Sequence, residues 1–189
     1  MNCSEQDFKK FPKIARYWRD CVITEKIDGT NGVIYIDDLG NFKVGSKSRW
    51  LSAPGDKPND NHGFAAWAYA NEHELLKLGQ GYHYGEFWGN GIQRGYGLPK
   101  NERRFSLFNT VKWSDPVNRP SCCYVVPILF TGLHCDIAIY DCLDELRKNG
   151  SKAAPFMNPE GIVIHHSASN VLFKVTLEND EKSKGDTEK

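Results

Sequence analysis

The apolar positions fall into short β-prone runs broken by two helical stretches. Residues 32–36 and 42–46 read as two strands, and Asp37-Asp38-Leu39-Gly40-Asn41 between them has the composition of a hairpin turn. Val22 and Ile23 form a further β-prone run. Residues 82–88, 105–111 and 124–130 are predicted strands, and 161–166 with 171–177 a closing hairpin across Ser167-Ala168-Ser169-Asn170. Residues 64–78 place Phe64, Trp67, Ala68, Leu75, Leu76 and Leu78 on an amphipathic helix closed by Gly79. A second helix is predicted over 137–148, with Asp136 as N-cap and Gly150 beyond its end. Residues 52–63 are rich in Pro, Gly, Asn and Asp and read as a surface loop, as do residues 113–120. Neither a repeat nor a linker interrupts this order. It predicts an α+β fold on antiparallel sheet, one domain over 1–177, with a charged, flexible tail over 178–189.

Composition narrows the class. A chain of 189 residues with 40% hydrophobic and 25% charged content can bury a sizeable core. No apolar run approaches the roughly 20 residues a membrane span needs, and the first seven residues lack a signal-peptide layout, so an intracellular protein without a membrane partner is expected. The six cysteines show no CxxC spacing, and adjacent Cys122-Cys123 suits neither staple nor zinc knuckle, so free thiols are expected. Net charge is zero, so any polyanion must be met by a local patch. Lys9, Lys10, Lys13, Arg16 and Arg19 among Phe8, Phe11, Ile14 and Tyr17 form one basic strip, which is either a solvated face or the approach to an anionic site.

The chemistry concentrates in Glu25-Lys26-Ile27-Asp28-Gly29-Thr30-Asn31-Gly32. Lys26 ends a β-prone run just before a tight polar turn, where its amine can point into a pocket and act as a nucleophile. A Lys before an Asp-Gly turn is also common on ordinary hairpins, so four later clusters matter. Ser46-Lys47-Ser48-Arg49 offers two cations for phosphate, or a solvated strand end. Tyr84-Gly85-Glu86-Phe87-Trp88-Gly89 puts a glutamate inside an apolar strand, which is costly unless it accepts strong hydrogen bonds such as those of a ribose. Phe105-Ser106-Leu107-Phe108-Asn109 places Phe105 and Phe108 on opposite faces, so one ring can stack on a base. Pro159-Glu160-Gly161-Ile162-Val163-Ile164 sets a carboxylate at the mouth of a strand, suited to a divalent metal, and Lys174 follows in Val171–Thr176. Alternation puts His165 and His166 on opposite faces, so both cannot line one pocket.

Taken in order, these segments resemble those of the covalent nucleotidyltransferases, with Lys26 in motif I, Glu86 in motif III, Glu160 in motif IV and Lys174 in motif V. The resemblance covers about residues 20–176. Glu25-Lys26 and the stretch Gly89-Asn90-Gly91-Ile92-Gln93-Arg94-Gly95-Tyr96-Gly97 resemble most the RNA ligase 2-type family of ATP-dependent RNA ligases. The resemblance implies joining of 3'-OH and 5'-phosphate ends through a lysyl-AMP and an adenylated 5' end. It implies Lys26 as nucleophile and Lys174 at the α-phosphate. Glu25, Asn31, Arg49, Glu86, Phe108, Glu160 and Lys174 would bind the nucleotide: Glu86 at the ribose, Phe108 at the adenine, Arg49 at phosphate. Glu160 would hold Mg2+, with Mn2+ as its substitute. The expected cosubstrate is ATP and the expected partner RNA, with DNA possible. Three departures stand out: Thr176 occupies the second lysine place of motif V, Asn109 stands where many members have Asp, and the chain ends soon after motif V. A minimal DNA ligase, a GTP-dependent capping enzyme and a non-catalytic protein that binds nucleic-acid ends are the alternatives.

Overall fold

A computed structural model describes residues 9–52, 60–178 and 180–181. The start of the chain, most of the predicted 52–63 loop and most of the predicted tail lie outside the described residues. The rest is α+β, with two sheets as its frame. The first orders β7 (Ile128–Leu133), β1 (Asp20–Lys26), β8 (Gly161–His166) and β9 (Val171–Thr176), all antiparallel. The second orders β3 (Phe42–Gly45), β2 (Thr30–Ile36), β4 (Gly81–Gly89), β5 (Arg103–Leu107) and β6 (Cys123–Val125); only the β5–β6 pair is parallel.

Strand alternation gives each sheet one apolar face. On the first sheet Ile23, Ile162 and Ile164 pack against Cys142, Leu143 and Leu146 of α4 (Asp136–Asn149). On the second, Ile34, Phe87 and Phe105 pack against Phe64, Ala68 and Leu75 of the helical layer. A third cluster joins Ile27, which follows β1, to Trp88 of β4, Tyr96 and Val126. It fixes the short turn that carries the chain from one sheet into the other. The opposite faces hold the half-buried Thr24 and Lys26 on one sheet, and Asn31, Tyr84 and Glu86 on the other.

Several elements differ from the sequence expectation for identifiable reasons. The helix expected over 64–78 breaks into α1 (Phe64–Ala70), α2 (Glu72–Leu75) and a 3-10 turn. Asn71 sits at the break, and its side-chain amide donates to the Trp67 carbonyl, competing with the helical ladder. The strand expected over 105–111 stops at Leu107. Asn109 then caps the short helix α3 (Thr110–Trp113), accepting a hydrogen bond from the Lys112 amide at 3.0 Å. The strand expected over 124–130 is two strands in different sheets. Pro127 cannot donate to a ladder, and its carbonyl accepts from the Glu25 amide instead. Cys135, not Asp136, is the N-cap of α4, while Gly150 ends it at φ 75° as expected. Within the predicted tail, Asp180 accepts from the Thr176 amide at 2.7 Å. Cys21, Cys122, Cys123, Cys135 and Cys142 are free thiols. Among the described residues no helix is long and apolar enough to cross a membrane.

Candidate active site

Lys26 is the last residue of β1, and Glu160 immediately precedes β8, the strand beside it. Register sets Lys26 opposite Gly161, so the two segments meet at one end of the first sheet. There the Lys26 ammonium donates to Glu160 Oε2 at 2.5 Å. The two side chains are 21% and 3% exposed, so the pair is largely shielded from water. Gly161 has φ 154°, and a Cβ there would lie 2.2 Å from the Val175 carbonyl oxygen. Only glycine lets β8 start this close to β9.

The turn after Lys26 is pinned from three sides. Gly29 lies against β4; a Cβ there would meet the Phe87 carbonyl oxygen at 2.4 Å. Its amide donates to Glu86 Oε1 at 3.0 Å, and Asn31 Nδ2 donates to Glu86 Oε2 at 3.0 Å. Burial pushes the Glu86 carboxyl up to about 7, only partly offset by Lys26 and the Gly29 amide, with Glu160 and Asp28 adding to the rise. These groups thus form one electrostatic cluster. Tyr96 supplies the second clamp. Its hydroxyl accepts from the Asp28 amide at 3.0 Å and faces the Lys26 carbonyl at 3.5 Å. Tyr96 is fully buried yet has φ 50°, a conformation costly for a bulky side chain. Arg94 is the third clamp. Its Nε donates to Asp28 Oδ2 at 3.2 Å, and its Nη1 donates to the Asn158 carbonyl, the Asn158 side chain and the Pro159 carbonyl. One guanidinium thereby ties the Lys26 turn to the approach to Glu160.

The other candidates lie in four different places. Lys174 pairs with Val163, which pairs with Thr24, so Lys174 shares the sheet face of Lys26 and is exposed. Phe108 follows β5, and its amide donates to the Tyr84 carbonyl; the residue is 42% exposed. Arg49 is exposed in the turn after β3, where its carbonyl accepts from the Ser46 amide at 2.8 Å. Glu25 points the other way. Its buried carboxylate accepts from Ser151 Oγ at 2.6 Å and from the amides of Lys152 and Ala153. Burial pushes that carboxyl up, and these donors pull it back. It secures the segment leading to Glu160 rather than sharing the face of Lys26. The two histidines diverge as alternation requires: His165 pairs with Asn170, and buried His166 with the Tyr17 carbonyl. Tyr96, Arg94 and Ser151 gave no sequence signal of their role beyond the glycine-rich stretch around the first two.

The donor set is carboxylate oxygen beside an amine. Among the described residues no group of three or more His, Cys, Asp or Glu side chains could hold a metal. The Glu160 carboxylate fits a hard divalent cation of the Mg2+ kind, which takes one or two protein carboxylates and completes its shell from phosphate and water.

The sequence model of the RNA ligase family matches residues 19–176. The chain belongs to the RNA ligase family. Solved structures of Naegleria gruberi RNA ligase variants share the fold. One with ATP and Mn has a TM-score of 0.56 at 20% identity, over 87% of this chain and 52% of that one. One with AMP and Mn has a TM-score of 0.55 at 20% identity, over 85% and 50%. An apo variant has a TM-score of 0.57 at 20% identity, over 85% and 50%. The chain therefore spans about half the length of these RNA ligases. No curated protein sequence matches it.

Proposed function

We propose that this chain is the adenylyltransferase part of an ATP-dependent RNA ligase, joining 3'-OH and 5'-phosphate RNA ends. The observation that carries this is the Lys26 amine held against buried Glu160, with Glu86 anchored beside the same turn. That arrangement suits nucleotidyl transfer, which asks for in-line placement and neutralised charge more than for acid-base work.

In the first step Lys26 Nζ, having lost a proton, attacks the α-phosphorus of ATP. The P–O bond to pyrophosphate breaks and lysyl-AMP forms. A 5'-phosphate oxygen of RNA then attacks the same phosphorus, and the N–P bond returns its electrons to Lys26. Last, a 3'-OH attacks the activated 5' phosphorus, gives up its proton, and AMP leaves. Glu86 accepts ribose hydroxyls, Phe108 stacks on adenine, and Arg49, Asn31 and Lys174 face phosphate oxygens. Glu25 acts indirectly, by holding the 151–153 segment. Glu160 would hold Mg2+ or Mn2+, which when bound offsets phosphate charge.

Intact mass after incubation with ATP and Mg2+ tests the reading, with Lys26→Ala and a GTP tube alongside. One AMP on the wild type alone supports it. GMP addition instead points to capping chemistry. No adduct on folded protein that is not already adenylated defeats it.

A further inference from the structure

The open face of the second sheet carries a row of aromatic rings leading away from Glu86. Register places Asn31 beside Glu86, then Val33 beside Tyr84, then Tyr35 beside Tyr82, with all these side chains on one face. Successive same-face positions on a strand are roughly 6.8 Å apart, so the row steps outward at about the spacing of bases in an extended strand. Tyr82 and Tyr84 are nearly parallel, with centroids 6.1 Å apart and an interplanar angle of 10°. Tyr35 packs against Tyr82 at 4.4 Å. Trp50 folds back over Gly45, where a Cβ would lie 3.1 Å from its ring, and extends the row at 6.4 Å from Tyr82. At the inner end the Phe108 amide donates to the Tyr84 carbonyl at 3.0 Å.

The outer rings are not core. Tyr82 is 54% exposed, Tyr84 53% and Trp50 49%, while Phe87 of β4 and Phe105 of β5 are buried on the opposite face. Cations edge the row. Lys43 pairs with Tyr35 on β3 and shares its face, and exposed Lys47 and Arg49 flank Trp50. Asp37, just beyond β2, is occupied by the amides of Leu39 and Asn41 and the side chain of Asn41.

We propose that this face is a stacking track for single-stranded RNA, feeding an end to the adenylate site. The proposal rests on the ligase reading above and names the form of substrate that the site takes. Exposed rings in a row favour unpaired bases, whose faces can stack; a duplex hides those faces. Flanking cations meet the backbone phosphates, which explains how a chain of zero net charge holds a polyanion.

The test uses the full 189-residue chain. A labelled, 5'-phosphorylated single-stranded RNA 12-mer and a blunt duplex of the same sequence are titrated by fluorescence anisotropy, and AMP loading is followed by intact mass. Tyr82→Ala and Tyr84→Ala should each weaken single-strand binding about 5- to 100-fold, the range expected for one lost stacked base. Duplex binding and AMP loading should not change, and Tyr82→Phe should bind like wild type. Single-strand binding unchanged in both alanine variants overturns the proposal, as does a wild type that favours the duplex. A wild-type dimer that Tyr82→Ala converts to monomer also overturns it, giving the face to a second copy. Loss of RNA binding in the variants, with no AMP loading even in wild type, defeats the ligase reading and leaves the track standing.

Discussion

The Lys26 ammonium and the Glu160 carboxylate meet at 2.5 Å across 134 residues of sequence. A lysine that serves only as a counter-ion can be replaced by arginine; a nucleophile cannot, because guanidinium keeps its proton. Lys26→Arg is therefore expected to keep much of the pairing with Glu160 and yet take up no AMP from ATP, read by intact mass. Lys26→Ala should also take up none. It should in addition lose up to about 3 kcal/mol of stability, because it leaves a buried carboxylate without its cation. An AMP adduct on either variant would remove Lys26 as the nucleophile.

Glu160 is expected to act at two levels, and two substitutions separate them. Glu160→Gln preserves shape while removing charge, and should slow AMP loading by about 100-fold or more, in line with losing a metal carboxylate worth several kcal/mol. Glu160→Asp keeps the charge on a shorter arm. It should recover part of the rate, and need more Mg2+ to reach it. Rates measured across a MgCl2 series decide the matter: a Gln variant with wild-type rate and wild-type Mg2+ dependence would confine Glu160 to pairing with the lysine.

Glu86 gives the molecule a pH dependence with a definite sign. Its carboxyl titrates at about 7 in the folded chain against 4.5 in the free group, chiefly because it is buried. A raised carboxyl binds its proton more tightly when folded. Its contribution to stability is full below pH 4.5 and is lost as pH rises through about 7. The span corresponds to at most about 3 kcal/mol. Glu86→Gln carries no such titration, so its stability relative to wild type should improve by up to that amount between pH 4.5 and pH 8. Urea unfolding midpoints of the two proteins over that range measure the difference. A constant gap would show that Glu86 does not titrate there.

The motif residues were legible because each makes its local sequence odd. Glu86 is a charge among Tyr84, Phe87 and Trp88; Glu160 and Gly161 interrupt the entry to an apolar strand; Lys26 stands before an Asp-Gly turn. The hairpin of β2 and β3 was legible from its turn. What sequence could not show is which distant groups satisfy which buried ones. Ser151 holding Glu25, Arg94 bridging Asp28 to Asn158, and Tyr96 bridging the Lys26 turn all join segments more than 60 residues apart. No local period encodes such pairings. The misjudged elements have the same origin. Asn71, Asn109 and Pro127 end or divert the backbone by using polar groups that a count of apolar positions does not see.

Tyr96 is the position at which this hidden layer can be tested alone. Its ring is fully buried against Trp88 and Phe156, and its backbone sits at φ 50°. Such strain costs about 1–3 kcal/mol and persists only where the surroundings enforce it. The hydroxyl lies between the Asp28 amide and the Lys26 carbonyl, on either side of the residue that precedes the Asp-Gly turn. Tyr96→Phe leaves the ring packing in place and deletes only that oxygen. The Asp28 amide is then buried without its acceptor, at a cost of about 1–3 kcal/mol. If the hydroxyl matters only for stability, the variant should melt lower and load AMP at the wild-type rate below its melting transition. If it sets where the Lys26 amine points, the rate of loading should fall about 10-fold or more with the Km for ATP little changed, since a small misplacement of a nucleophile costs rate more than binding. We expect the second result, because both backbone groups the hydroxyl touches belong to the turn that aims Lys26.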